Sequence, residues 1–148
     1  MTRPPHILVI EAPYYAHIAD LLRRGAERGL AAAGATHETV QVPGSFEIPA
    51  AIGVVARGSD VFDGYVALGC VIRGETTHYD HICAESARGL QDLAVRDGLA
   101  IGYGILTCEN EAQALARAAP EGRDHAGAAV RACLALIELK RRFARGGG

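Results

Sequence analysis

The stretch Tyr65–Leu93, YVALGCVIRGETTHYDHICAESARGLQDL, decides how the chain folds. It opens with an apolar run, Tyr65 to Ile72, of strand length and with no polar face, as in a strand covered on both sides. Arg73, Gly74 and Glu75 follow as a turn. From Thr77 the period changes. Tyr79, Ile82, Cys83, Ala87, Leu90, Leu93 and Ala94 recur every three or four residues, the spacing of a helix's inner stripe. Thr77 with Asp80 three places later has the form of a helix-start capping pair. The stretch reads as strand, tight loop, helix.

Such a junction has chemical uses. The first amide N–H groups of a helix lack internal partners and carry partial positive charge, so an anion can be held there. Thr76 and Thr77 add hydroxyl donors, and His78 falls in the first turn. The field at a helix start disfavours a cationic imidazole and leaves the form that accepts a proton. A phosphate cradle and a general base would then lie side by side. The plainer alternative is a capping threonine and one more exposed polar histidine.

Outward from this unit, the chain repeats the theme. His6 to Ile10 is a short apolar run ending at Glu11, followed by a turn at Ala12, Pro13 and Tyr14. A helix is expected from about Ala16 to Ala33, with Ile18, Leu21, Leu22, Ala26 and Leu30 inward and Gly34 closing it. Thr39 to Val42 is the expected second strand. Pro43-Gly44-Ser45 ends it, and Ser45 is placed to cap a helix from Phe46 to about Ala56, with Pro49 in its first turn. Ala100 to Leu106 supplies a fourth strand, Asn110 to Ala118 a short helix, and Asp124 to Phe143 a long one. The inner side of that last helix is expected to carry Ala129, Ala132, Cys133, Leu136, Ile137 and Leu139. Strands alternating with helices predict an α/β domain with a four-stranded parallel sheet covered on both faces. Ligands of such sheets gather beyond the carboxyl ends of the strands, here Glu11–Tyr14, Pro43–Glu47, Cys70–His78 and Leu106–Asn110.

Composition agrees with a single domain spanning 1–148, its termini (1–5 and 144–148) loose. The 148 residues carry balanced charge, with a pI near 6.3, so neither nucleic acid nor an anionic membrane is invited as a partner. No signal peptide and no apolar stretch of membrane-spanning length is read in the sequence. Cys70, Cys83, Cys108 and Cys133 stand apart in apolar settings and read as reduced thiols of a cytoplasmic protein.

Three blocks carry a family resemblance: VPGSFEIPAA at Val42–Ala51, LGCVIRGETTHYD at Leu68–Asp80 and GYGILTCEN at Gly102–Asn110. In this order, and over nearly the whole chain, they resemble lumazine synthase, in the style of its alphaproteobacterial branch. The resemblance implies a flavodoxin-like three-layer αβα fold. It implies a transferase that condenses 5-amino-6-(D-ribitylamino)uracil with 3,4-dihydroxy-2-butanone 4-phosphate to 6,7-dimethyl-8-ribityllumazine. Phosphate and water are released, and no cofactor or metal is used. By residue, it implies a pyrimidine stacked on Tyr14, with the ribityl chain and ring edge at Ser45, Phe46, Glu47, Cys70, Val71 and Ile72. The butanone phosphate is implied at Gly74, Glu75 and Thr76. Arg117 of an adjacent copy joins it there, and His78 moves protons. Tyr103 is implied to cover the ring from across a subunit boundary, and His125 to lie near the butanone site.

Three positions depart from the family's habit. Cys70 stands where threonine is usual, Pro13 where arginine is frequent, and His125 where lysine is common. The connection AAPEGRDHA at Ala118–Ala126 also lacks the turn of the shell-forming members, so pentamers or pairs of pentamers are expected. Other readings are weaker. His78 and His81, with Cys70 or Cys83, do not have the spacing of a metal set. Gly102-Tyr103-Gly104 is half a dinucleotide fingerprint inside a strand, with Thr107 in the third glycine's place. A phosphoacceptor domain would need aspartate where Cys70 stands. The remaining alternative is a non-catalytic flavin- or lumazine-binding paralogue using the same pocket.

Overall fold

The computed structural model describes residues 3–144, and the expected glycine tail lies outside them. Strands β1 (His6–Glu11), β2 (Thr36–Gln41), β3 (Gly64–Ile72) and β4 (Ile101–Cys108) form a parallel sheet in the order β2-β1-β3-β4. Between and after them run α1 (Ala16–Ala32), α2 (Ile48–Gly58), α3 (His78–Asp97), α4 (Glu111–Ala118) and α5 (His125–Arg142). A 3-10 turn, Ser45–Glu47, leads into α2.

The period-two alternation of the strands sorts their side chains into two cores. Ile7, Val9, Val66, Leu68, Cys70, Leu106 and Cys108 pack with α1, α4 and α5 on one face. Leu8, Ile10, Tyr65, Ala67, Ile101 and Ile105 pack with α2 and α3 on the other. The result is the expected three-layer αβα arrangement. The central pair, β1 and β3, is buried along almost its whole length, and that is why both strands read as unbroken apolar runs.

β2 differs from its expected range, starting at Thr36 and ending at Gln41. As an edge strand it is largely exposed and has no apolar signature to read. Its limits come from pairing: Thr36 donates to the Pro5 carbonyl, and the register runs from His6 opposite Thr36 to Glu11 opposite Gln41. β4 likewise continues past Leu106 to Cys108, drawn on by its register with Ile72.

The face of α5 also needs correction. Ala126, Gly127, Ala129, Val130, Cys133 and Ile137 are buried, whereas Ala132, Leu136 and Leu139 are exposed. The buried set holds to one stripe of small residues that lets the helix lie close on the sheet. A Cβ on Gly102 of β4 would overlap the Ala129 carbonyl, so the glycine there is a packing requirement and not half of a nucleotide loop.

The stripe expected on α3 is in place but only half covered. Ser86 and Leu90 are buried, while Tyr79, Ile82, Cys83, Ala87, Leu93 and Ala94 keep partial exposure. At the amino end of the sheet, Arg3 forks onto Asp63 with bonds of 2.9 and 2.8 Å, tying the start of the described chain to the loop before β3.

Candidate functional site

A cleft of about 780 Å³ opens beyond the carboxyl ends of β1 and β3, where the strand order reverses direction. Its walls come from the turn after β1 (Tyr14, Tyr15), the 3-10 turn with its approach (Pro43, Gly44, Ser45, Phe46, Glu47), the end of β3 (Cys70, Val71, Ile72), the loop beyond it (Gly74, Thr76) and the first turns of α3 (His78, Tyr79, His81, Ile82).

Each of these elements is placed by a simple local cause. Tyr14 and Phe46 stand at the mouth, 75% and 55% exposed, unusual for aromatic rings and fitting for surfaces that meet a planar ligand. Tyr14 meets Tyr15 edge-on at 4.9 Å between centroids. Ser45 was expected to cap a helix but makes no capping bond. Its side chain turns inward instead, buried against β3, where a Cβ on Gly69 would come within 2.5 Å of the Ser45 hydroxyl. That close approach lets the Pro43–Glu47 segment form the cleft floor.

Thr77 precedes α3 as expected, yet neither half of the anticipated capping pair forms. Thr77 is not extended (φ −75°, ψ 0°), so its hydroxyl does not cap. Asp80 turns to Arg73 instead of back to the helix start. The neighbouring Thr76 hydroxyl takes the role in part, accepting from the His78 backbone N–H at 3.3 Å. His78 is thus the first residue of α3, with its side chain lining the cleft. His81 lines it one turn further on, but among the described residues no group of three His, Cys, Asp or Glu side chains converges on a metal position.

Cys70 lies at the back of the cleft. Burial, with a smaller contribution from Cys108, pushes its thiol up to about 12, so it is neutral near pH 7 and unsuited to nucleophilic attack. Beside it, the last residue of β1, Glu11, is 2% exposed. One carboxylate oxygen accepts from Gln41 Nε2 at 2.8 Å, and the other has no hydrogen-bond partner and lies 3.9 Å from Arg23 Nε.

Of the residues singled out in the sequence, Tyr14, Ser45, Phe46, Glu47, Cys70, Val71, Ile72, Gly74, Thr76 and His78 come together in this cleft. Glu75 is exposed and does not line it. Tyr103, Arg117 and His125 are also absent from its walls. Tyr103 sits on the edge strand β4, 43% exposed. Arg117 lies in the last turn of α4, donating to the Gln113 carbonyl at 3.1 Å, and His125 begins α5. Desolvation of the ring and the nearby cations of Arg117 and then Arg123 lower the His125 pKa, with Asp124 opposing. Sequence reasoning placed Pro43 and Gly44 in a ligand-bearing loop without giving them a role, and missed Tyr15 and the wall role of His81, Tyr79 and Ile82. The last two carried the signal of a helix's inner stripe, and the cleft begins where that stripe runs out of core.

Comparisons of the sequence with known proteins point to one family. A family model described as 6,7-dimethyl-8-ribityllumazine synthase matches residues 4–141. The "6,7-dimethyl-8-ribityllumazine synthase 1" of Rhizobium meliloti (strain 1021) is 54% identical over 145 residues, covering 95% of this chain and 95% of its own. The protein named 6,7-dimethyl-8-ribityllumazine synthase in Sphingopyxis alaskensis is 53% identical over 141 residues, covering 95% and 99%. Its namesake in Bartonella tribocorum is 49% identical over 143 residues, covering 97% and 95%.

Proposed function

The chain belongs to the 6,7-dimethyl-8-ribityllumazine synthase family, and on that premise we propose how its cleft carries the family's reaction. The reaction joins 5-amino-6-(D-ribitylamino)uracil to 3,4-dihydroxy-2-butanone 4-phosphate, giving 6,7-dimethyl-8-ribityllumazine in the penultimate step of riboflavin synthesis. One observation carries the assignment of roles. A single cleft joins aromatic rings at its mouth, a carboxylate at Glu47 and the Gly74–Thr76 loop beside His78.

In this reading the pyrimidine lies on Tyr14, and Glu47 accepts from ribityl hydroxyls. The phosphate sits at the Gly74–Thr76 loop, where the positive end of the α3 dipole favours an anion. The pyrimidine's primary amine attacks the butanone carbonyl, and loss of water gives a Schiff base. Elimination breaks the C–O bond to phosphate, which leaves with the electron pair. The second amine then closes the ring with loss of another water. His78 moves the protons of these steps. Holding two substrates together is the larger contribution.

Among the described residues the cleft walls include no lysine or arginine, a poor setting for a phosphate ester. This supports a site completed by a neighbouring copy, whose Arg117 supplies the fork and whose Tyr103 covers the ring. Light scattering is expected to give five or ten times the 15.5 kDa chain mass, and a megadalton shell would overturn that. No described helix is long and apolar enough to cross a membrane. The unpaired cysteines support a cytoplasmic setting.

The deciding experiment mixes both substrates with the purified protein and follows the lumazine chromophore. Formation well above the spontaneous background is expected. A protein that copurifies with flavin but forms no product would reverse the assignment.

His125 gives a finer test. With its pKa lowered, its imidazole is mostly neutral at pH 7.5 and offers the phosphate little charge. His125→Lys is expected to lower the KM for the butanone phosphate about threefold at that pH. The wild-type ring becomes cationic only as pH falls through its lowered pKa, below the ordinary histidine value of about 6.5, and there the gap between the two proteins should close. A gap independent of pH would exclude the titration as its cause.

A further inference from the structure

We propose that Arg73, whose side chain lies outside the cleft walls, is the positioning residue that fixes the Gly74–Thr76 loop and the first turn of α3 against the end of β4. The inference deepens the reading of the cleft given above and rests on it. Arg73 follows directly on β3, and its backbone N–H donates to the Cys108 carbonyl at 2.9 Å, extending the β3–β4 ladder by one bond. Its guanidinium then reaches in three directions. Nε donates to Glu109 Oε2 at 2.7 Å, just past β4. Nη1 donates to Asp80 Oδ1 at 3.4 Å, and Cζ lies 4.4 Å from the centre of the Tyr79 ring. Tyr79 and Asp80 are the second and third residues of α3, directly after His78. One planar group therefore ties the helix that presents His78 to the strand end across the sheet.

The loop between has little packing of its own. A Cβ on Gly74 would meet nothing within 4 Å, and residues 73–78 are all exposed. Its shape depends on what holds its two ends. The ion pairs are too exposed to add much stability: Arg73, Asp80 and Glu109 are 42%, 57% and 56% open. Their effect is on geometry. A fork of donors stacked on a ring is something arginine provides and lysine does not. Tyr79 is itself a wall of the cleft, so the stack also sets where that wall stands.

The test uses the assembled enzyme with Arg73→Gln, Arg73→Lys, Glu109→Gln and the Gln/Gln double variant. Arg73→Gln is expected to raise the KM for the butanone phosphate about tenfold, leaving that for the pyrimidine within about twofold. Its melting temperature should stay within about 2 °C of wild type. Arg73→Lys should fall between. Glu109→Gln should show a smaller rise, and the double variant should be no worse than Arg73→Gln, since both changes break one contact. Inorganic phosphate binding, followed by calorimetry, reads the loop without turnover and should weaken in the same order. Unchanged phosphate binding and KM in Arg73→Gln, equal rises for both substrates, or additive losses in the double variant would overturn the role of Arg73. Wild-type protein that binds phosphate but makes no lumazine would overturn the reaction, and the calorimetric series would still decide the loop.

Discussion

His78→Ala is expected to lower kcat by about a hundredfold and to leave measurable turnover, a loss typical of removing one proton-transfer group. The reasoning follows from where His78 sits. Its backbone N–H is held by the Thr76 hydroxyl, and that bond survives the substitution, so the anion loop keeps its form. The KM for the butanone phosphate should therefore change little. In the proposed reading what disappears is one group that takes and returns protons as the amines condense and the phosphate leaves. The amines are themselves nucleophiles, and binding both substrates in one cleft supplies most of the advantage over solution, with effective molarities of well-oriented reactants reaching about 10⁵ M or more. Steady-state absorbance of the lumazine gives the rate, and light scattering checks assembly. A variant that assembles normally and shows no turnover would mean that His78 does something other than proton transfer.

Much of this cleft is legible in the sequence because it lies at strand ends, and strand ends are marked by a change of hydrophobic period. Tyr65–Ile72 has the length and the all-apolar character of a covered strand, and the shift at Thr77 locates the helix that carries His78. What stayed hidden depends on contacts between distant segments. Ser45 follows a Pro-Gly turn and looks like a cap, and only the approach of β3 with its bare Gly69 shows why the hydroxyl goes inward. The inner face of α5 was drawn too wide, because Leu136 and Leu139 are apolar yet exposed. Arg73 shows the limit most clearly. Its partner Glu109 is 36 residues away, and no local pattern connects them.

The unburied apolar residues and the incomplete cleft describe one deficiency from two sides. A stripe on α3 expected to face a core is half open, and among the described residues the cleft proposed for a phosphate ester has no lysine or arginine in its walls. Val95 on α3 and Tyr103 on β4 are both exposed, and both belong to elements at the β4 edge of the fold. A second copy laid against that edge would cover them. In the proposed reading it would also bring Arg117 and Tyr103 to the cleft of the first.

The strongest consequence concerns Arg117. Arg117→Ala is expected to lower kcat/KM for the butanone phosphate by about a hundred- to a thousandfold, the scale of removing a preorganised charged donor. Within its own protomer Arg117 does not reach the cleft, so a loss of this size is explained only if it acts on a neighbour. Mixing distinguishes the two cases. In a ring whose sites each take His78 from one chain and Arg117 from the next, co-assembling Arg117→Ala with His78→Ala in equal amounts makes about a quarter of the sites intact. Activity should return to about a quarter of wild type, roughly tenfold or more above either parent. If each site were built from a single chain, no combination would restore one, and the mixture would show the mean of the parents. The recovered rate after co-refolding, compared with that mean, measures directly whether Arg117 serves the cleft of the neighbouring chain.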